Sequence, residues 1–272
     1  MNRAALLLVA VSVSAAAQPG ASIIIAPVAS QGALLTGTAP VGALLTLDGR
    51  AVPVASDGRF VIGFDRDAAP GAHLLAATTL DARVTANLQV IPRAWAISRL
   101  STLPKLPVPA PAFAAIRPAE LARIVAARAT VTDATGWRQR FRWPATGRLS
   151  TAFGSQRVYA NGEAGEPHSG ADVAVGEGTP VVAPADGVVV LAADAPFTLE
   201  GNLLMLDHGM GVNSALLHLS RILVHGGEHV RQGQLVAYSG RTGRATGPHL
   251  HWSLRWGTAR VDPLLAVGGA PG

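Results

Sequence analysis

The amino-acid sequence predicts a mainly β protein, two β regions joined by a proline-punctuated connection. Glycine (30 residues) and proline (19) are abundant while aromatic residues make up 5% of the 272, a balance that favours turns and short strands over long helices. Apolar runs of four to eight residues, rich in branched side chains, alternate with glycine, Asp-Gly and proline in both halves. A hydrophobic fraction of 49% is ample for packed cores, and the length exceeds one average domain.

The first element is not part of either β region. Residues 1–17, MNRAALLLVAVSVSAAA, place Arg3 ahead of an apolar stretch over 4–13 and end on Ala15-Ala16-Ala17, the pattern of a signal peptide with a small-residue cleavage site. A transmembrane helix needs about 20 apolar residues, and Gln18, Pro19 and Gly20 interrupt this one. No later stretch is long and apolar enough to span a bilayer. The expectation is therefore an exported protein, in the periplasm or cell envelope or secreted, without stable membrane insertion after cleavage.

Residues 18–92 contain the runs SIIIAP, ALLTGTAP, ALLTLDG, AVPVASDG, RFVIGF, HLLAAT and VTANLQVIP. Asp48-Gly49 and Asp57-Gly58 are two-residue hairpin signals, and strands recurring about every ten residues predict a small β-sandwich. The stretch TGTAPVGALLTLDGRAVPVASDGRF resembles Ig-like or carboxypeptidase-regulatory-like modules of exported bacterial proteins, which implies a scaffold. His73 has no histidine or carboxylate at ligand spacing and reads as a packing or surface residue.

Residues 93–136 form the boundary. LPKLPVPAPAF at 103–113 is expected to be extended and semi-rigid. Pro118-Ala119-Glu120 then opens a short helix through Leu121, Ile124 and Val125, with proline at the first position, where its missing N–H costs nothing.

Residues 137–268 return to β, with PVVAP, GVVVLAA, NLLMLDHG, SALLHLS, QLVAYSG and HLHWSLRW separated by glycine turns. Seven of the eight histidines lie here. In HSGAD, Gly170 argues for a loop or strand that brings His168 and Asp172 to one centre. In HLH, alternation along a strand turns His249 and His251 to the same face, roughly 7 Å apart. With no cysteine in the chain, any metal sits on histidine and carboxylate. A hydrolytic zinc site takes three such ligands and keeps a fourth position open. His168, Asp172 and one histidine of HLH supply that set, and His218 in LLHLS adds a further imidazole. His208 reads as structural or groove-lining. His225 and His229 have ligand-like spacing, but Gly226-Gly227 breaks any helix and the stretch reads as a surface turn. Asp262, before proline, reads as closing a turn.

HSGADVAVGEGTPVVAPADGVVV, GNLLMLDHGMGVNSALLHLS, VRQGQLVAYSGRTGRATGPHLHWSLR and the terminal VDPLL together resemble the lysostaphin/LytM-type zinc endopeptidases, across roughly residues 141–266. The resemblance implies a compact antiparallel β fold with a groove, one Zn2+ per chain on His168, Asp172 and His251, and catalytic histidines His218 and His249. It further implies hydrolysis of peptide cross-links or stem peptides of peptidoglycan. The two catalytic histidines would orient water, exchange protons and stabilise the oxyanion, with the base unassigned between them. Where the family often has tyrosine, two residues before His218, this chain has Leu216.

Other classes fit less well. A net charge of +5, almost wholly from arginine and without a dense cluster, argues against sequence-specific nucleic-acid binding. A non-catalytic regulator that binds the wall or activates an amidase is the alternative, although such relatives generally have lost ligands. GTPVVAPADGVVV and VRQGQLVAYSG also resemble the hairpins of biotinyl and lipoyl carriers. Those need an exposed lysine, and the single lysine, Lys105, lies in the connection.

Overall fold

The computed structural model describes residues 22–101 and 111–271. The signal peptide expected over 1–17 and most of the proline-punctuated stretch lie outside the described residues. In chain order the strands are β1 (Val28–Ser30), β2 (Leu34–Thr38), β3 (Leu44–Leu47), β4 (Arg50–Val52), β5 (Arg59–Gly63), β6 (Gly71–Thr78), β7 (Arg83–Ile91) and β8 (Ile97–Arg99). Helix α1 (Pro111–Ala129) follows. Then come β9 (Arg148–Thr151), β10 (Gln156–Val158), β11 (Ala171–Ala174), β12 (Pro180–Val182), β13 (Gly187–Ala192) and β14 (Asn202–Asp207). The chain closes with β15 (Val212–Leu219), β16 (Arg221–Ile222), β17 (His229–Val230), β18 (Leu235–Tyr238), β19 (Leu250–Trp256), β20 (Ala259–Val261) and α2 (Pro263–Val267). None of the described helices is long and apolar enough to cross a membrane.

In the N-terminal region a five-stranded sheet, β1-β7-β6-β3-β4, faces the β2-β5 pair. Between them lie Leu45, Phe60, Ile62, Leu75, Leu88 and Val90. Asp48 and Gly49 both have positive φ, the signature of the tight hairpin that joins β3 to β4. Asp57-Gly58 also makes a turn, but β4 and β5, on either side of it, go to different sheets. One detail departs from the sequence reading: SIIIAP supplies an isolated bridge at Ile24 rather than a strand. Strand β1 pairs with β7 in parallel. β5 is buried on both faces, because Phe60 and Ile62 enter the N-terminal core while Val61 enters the C-terminal one. That accounts for its unbroken apolar run.

The C-terminal region is built on one large antiparallel sheet, β17-β13-β14-β15-β19-β11-β9, with β20 added on β19. Alternation divides its residues between two faces. Leu204, Leu206, Leu216, Leu250, Trp252 and Leu254 turn to a core shared with the three-stranded sheet β12-β18-β16. Met205, Ala215 and Leu217 turn the other way, under α1, together with Leu203. His251 pairs with Asp172 on one side and Leu217 on the other, so both polar groups lie on the α1 face.

Helix α1 begins seven residues earlier than the sequence reading placed it and carries Pro118 inside it. Proline cannot donate to the carbonyl four residues back, so contacts outside the helix must hold this turn. The docked stripe is Arg117, Glu120, Ile124 and Ala127, whereas Leu121 and Val125 are exposed. Pro111 now occupies the helix start.

The two β regions are bound together. Arg260 hydrogen-bonds both carboxylate oxygens of Asp65 (2.7 and 3.1 Å) and also reaches Asp67, and Arg93 pairs with Asp262 at 2.8 Å. Asp262 in turn caps α2 by accepting from the Leu264 N–H. Strand β8 pairs in parallel with β10, so the segment after Arg93 joins the sheet structure that leads to His168.

Candidate metal and catalytic centre

Five side chains converge at the edge of α1's sheet face. His168 stands in the loop before β11, Asp172 within β11 and His251 on its register partner in β19. Asp172 Oδ1 lies 2.8 Å from His251 Nδ1 and 3.1 Å from His168 Nε2, and those two nitrogens are 3.0 Å apart. Among the described residues this is the one group of three or more ligand-type side chains gathered tightly enough for a metal ion. Zinc bonds of about 2.0–2.1 Å in tetrahedral geometry separate ligand atoms by about 3.3 Å. The cluster therefore accepts zinc after opening by a few tenths of an ångström.

The ring orientations follow from neighbouring carbonyls, which can only accept. His168 Nδ1 contacts the Ala152 oxygen at 3.3 Å and leaves Nε2 toward the cluster. His218 Nδ1 donates to the Thr242 carbonyl and His249 Nδ1 to that of Gly247, each at 2.9 Å. Both Nε2 atoms are thereby left with free lone pairs. His249 Nε2 is 3.9 Å from Asp172 Oδ1, and the His218 ring centroid is 4.7 Å from that of His249 and 6.3 Å from that of His251. His249 precedes β19 proper, held by a bridge to Gly240.

Electrostatics match the geometry. Burial opposes the charge on Asp172, but the hydrogen bonds with His168 and His251 outweigh it and hold the carboxyl well below the usual range. Burial pushes His218 down to about 4 and lowers His251 as well.

Two local features shape the site. The register slips between β14 and β15 near Asn202 and Leu204, and across that slip His218 takes φ +62°, unusual for a residue with a side chain. A Cβ on Gly170 would overlap the Trp252 carbonyl oxygen and stand 2.7 Å from His251 Nε2. HSGAD thus needs its glycine for close approach.

Residues 166–263 match the sequence model of peptidase family M23. The C-terminal region contains a peptidase family M23 domain. The peptidoglycan DD-endopeptidase ShyA of Vibrio cholerae is 41% identical over 116 residues, 43% of this chain and 26% of that protein. The DD-carboxypeptidase/endopeptidase Mpg of Neisseria meningitidis is 38% identical over 117 residues, 43% of this chain and 26% of its own length. The chain thus matches about a quarter of the length of these curated relatives. A crystal structure assigned to peptidase M23 from Pseudomonas aeruginosa aligns with TM-score 0.67 at 28% identity, covering 89% of this chain and 95% of that one. That likeness extends past the M23 domain into the N-terminal β region.

The remaining histidines of the M23 domain lie elsewhere. His208 is fully buried, bonded to the Asp186 carbonyl and Ser214 Oγ at 2.8 Å each and set edge-on against Phe141. His225 is exposed in a turn closed by Glu228, and His229 lies on the short β17. Leu216 is buried in the core shared with β12-β18-β16, away from the cluster. Outside the domain, His73 bonds Asp48 at 2.6 Å, a carboxylate 25 residues away that local spacing does not reveal. Sequence reasoning also missed the orienting carbonyls of Ala152, Thr242 and Gly247, since a backbone oxygen leaves no mark in residue type.

Proposed function

We propose that this chain is a zinc-dependent endopeptidase that hydrolyses peptide cross-links or stem peptides of bacterial peptidoglycan. One zinc ion would be held by His168, Asp172 and His251. The observation that carries the reading is the pairing of this cluster with two imidazoles, His218 and His249, whose Nδ1 atoms are committed to carbonyls.

Zinc at this site supplies Lewis acidity toward the scissile carbonyl and toward water. The protein does the rest. The Nε2 lone pair of either His218 or His249 can take the proton of the attacking water and pass that same proton to the leaving amine, while the other imidazole orients the water. Asp172 keeps its charge beside the two ligand histidines, so the cluster carries a carboxylate to offset the cation.

Residues 137–268 form the peptidase unit in this reading, 18–92 a scaffold module and 93–136 the connection. The leader-like residues 1–17 support export to the periplasm, envelope or medium. The regulator alternative draws no support from the cluster, which lacks none of its three ligands.

The test is incubation of the mature protein with defined muropeptides, with and without chelator, and identification of products by mass. Chelator-sensitive release of cleaved stems is expected. His218→Ala and His249→Ala should keep zinc and lose hydrolysis by about 10²–10⁴-fold. Full activity in either variant, or no zinc-dependent cleavage by the parent, overturns the reading.

A further inference from the structure

The strained backbone of His218 is held in place by a chain of bonds that leads out of the M23 domain into α1. His218 N–H donates to the Glu200 carbonyl at 2.8 Å, and its ring donates to Thr242. Glu200 lies in the tight turn closed by the reciprocal Phe197 and Gly201 bonds. Its carboxylate receives a two-pronged grip from Arg117, Nη1 to Oε2 at 2.6 Å and Nη2 to Oε1 at 2.7 Å. One turn along α1, Glu120 accepts from both the N–H and the hydroxyl of Thr198 at 2.6 Å, and it shares Arg117 at 3.0 Å. Arg117, Glu120 and Glu200 are all about 85% or more buried in their side chains.

We propose that Arg117 is a positioning residue for His218: by fixing Glu200 and Thr198 it holds the turn whose carbonyl sets the His218 backbone. A residue at positive φ persists only where its surroundings over-determine it. Here the over-determination comes from a helix outside residues 166–263. Without Arg117, the carboxylates of Glu120 and Glu200 face each other in a partly buried place with no cation between them. The turn then relaxes, the Glu200 carbonyl moves, and His218 loses its αL geometry while the zinc ligands, on β11, β19 and the loop before β11, stay put.

This inference rests on the zinc-peptidase reading, and the experiment separates the two. Arg117→Ala and Arg117→Lys are compared with the parent for kcat and KM on a cross-linked muropeptide, for zinc content, and for the His218 ring signal in ¹³C-histidine-labelled protein, assigned with His218→Ala. Arg117→Ala is expected to lower kcat by about 10- to 100-fold, the scale of a misplaced catalytic group, with KM and zinc content within about twofold. Arg117→Lys keeps a cation in the cluster but cannot make the parallel pair of bonds. It is expected to fold, to shift the His218 signal and to lower kcat at least about threefold, and it decides the matter if the alanine variant does not fold. Unchanged kcat and an unmoved His218 signal in Arg117→Lys overturn the proposal while leaving the peptidase reading intact. A parent without chelator-sensitive activity defeats the peptidase reading, and an unmoved His218 signal in Arg117→Lys then still counts against the positioning role of Arg117 on its own.

Discussion

Gly170 shows how much a single hydrogen atom in place of a side chain contributes here. A methyl group there meets the Trp252 carbonyl and the His251 ring, so Gly170→Ala must push β11 and β19 apart at the point where Asp172 and His251 pair. Overpacking of this kind costs about 1–3 kcal/mol. The expected outcome is a lower denaturation midpoint and a weakened zinc affinity, read by urea unfolding and metal titration. His208 makes a second prediction. Its imidazole is buried, which pushes it from 6.5 down to about 4. As pH falls below 6.5 the unfolded chain binds this proton and the folded one does not, so stability falls by about 1.4 kcal/mol per pH unit. The loss reaches about 3 kcal/mol near pH 4, and above pH 6.5 this contribution is fully present. His208→Gln should flatten the difference in unfolding free energy between pH 7 and pH 4.5 by a large part of that amount, measured with denaturant at each pH. At this scale HSGAD and HLH were legible, because strand alternation alone puts His249 and His251 on one face. The positive φ of His218 was not, since it comes with a register slip between β14 and β15 that the side-chain period of neither strand reveals.

Among the elements, α1 shows tertiary contacts overriding local preference. A proline at 118 reads as a helix start, yet the helix runs from Pro111 because Arg117, Glu120, Ile124 and Ala127 are held from outside it. Ile124→Ala, at a site 4% exposed against Phe197 and Met205, should cost about 2–4 kcal/mol in the unfolding free energy. Its measure is the shift in denaturant midpoint at constant slope. Most strands could be read from their apolar runs, and the Asp48-Gly49 turn from its residues. β5 hid its role, since one unbroken run serves two cores and alternation cannot show it. The parallel β1–β7 pair was hidden too, because pairing direction depends on where the chain returns rather than on side-chain period.

In the molecule as a whole, the C-terminal region shares ion pairs and core residues with the N-terminal region and a strand pair with the connection. Burial works against Asp65, but its bonds from Arg260 prevail and bring its carboxyl down to about 2. The stability this pair contributes is present above about pH 3.8 and is lost as pH falls toward 2. Arg260→Ala removes the cation from both Asp65 and Asp67 and should cost about 2 kcal/mol at neutral pH. Calorimetry is the check, with one unfolding transition in the parent and two separated transitions in the variant. Composition pointed to a mainly β protein, and the apolar runs on either side of the proline-punctuated stretch divided it into two regions. The extent of their contact was not legible, because arginines and aspartates that meet 195 residues apart look like ordinary surface charges in the sequence.

The indole of Trp95 occupies the space into which a side chain at Gly154 would project, beside Phe153 and under the guanidinium groups of Arg66 and Arg93, 5.1 and 4.6 Å from the ring. Gly154 N–H in turn bonds the carbonyl of His168. Trp95 therefore ties the seating of the loop bearing His168 to the segment after Arg93: the indole fills the slot beside the Gly154 backbone that holds the His168 carbonyl.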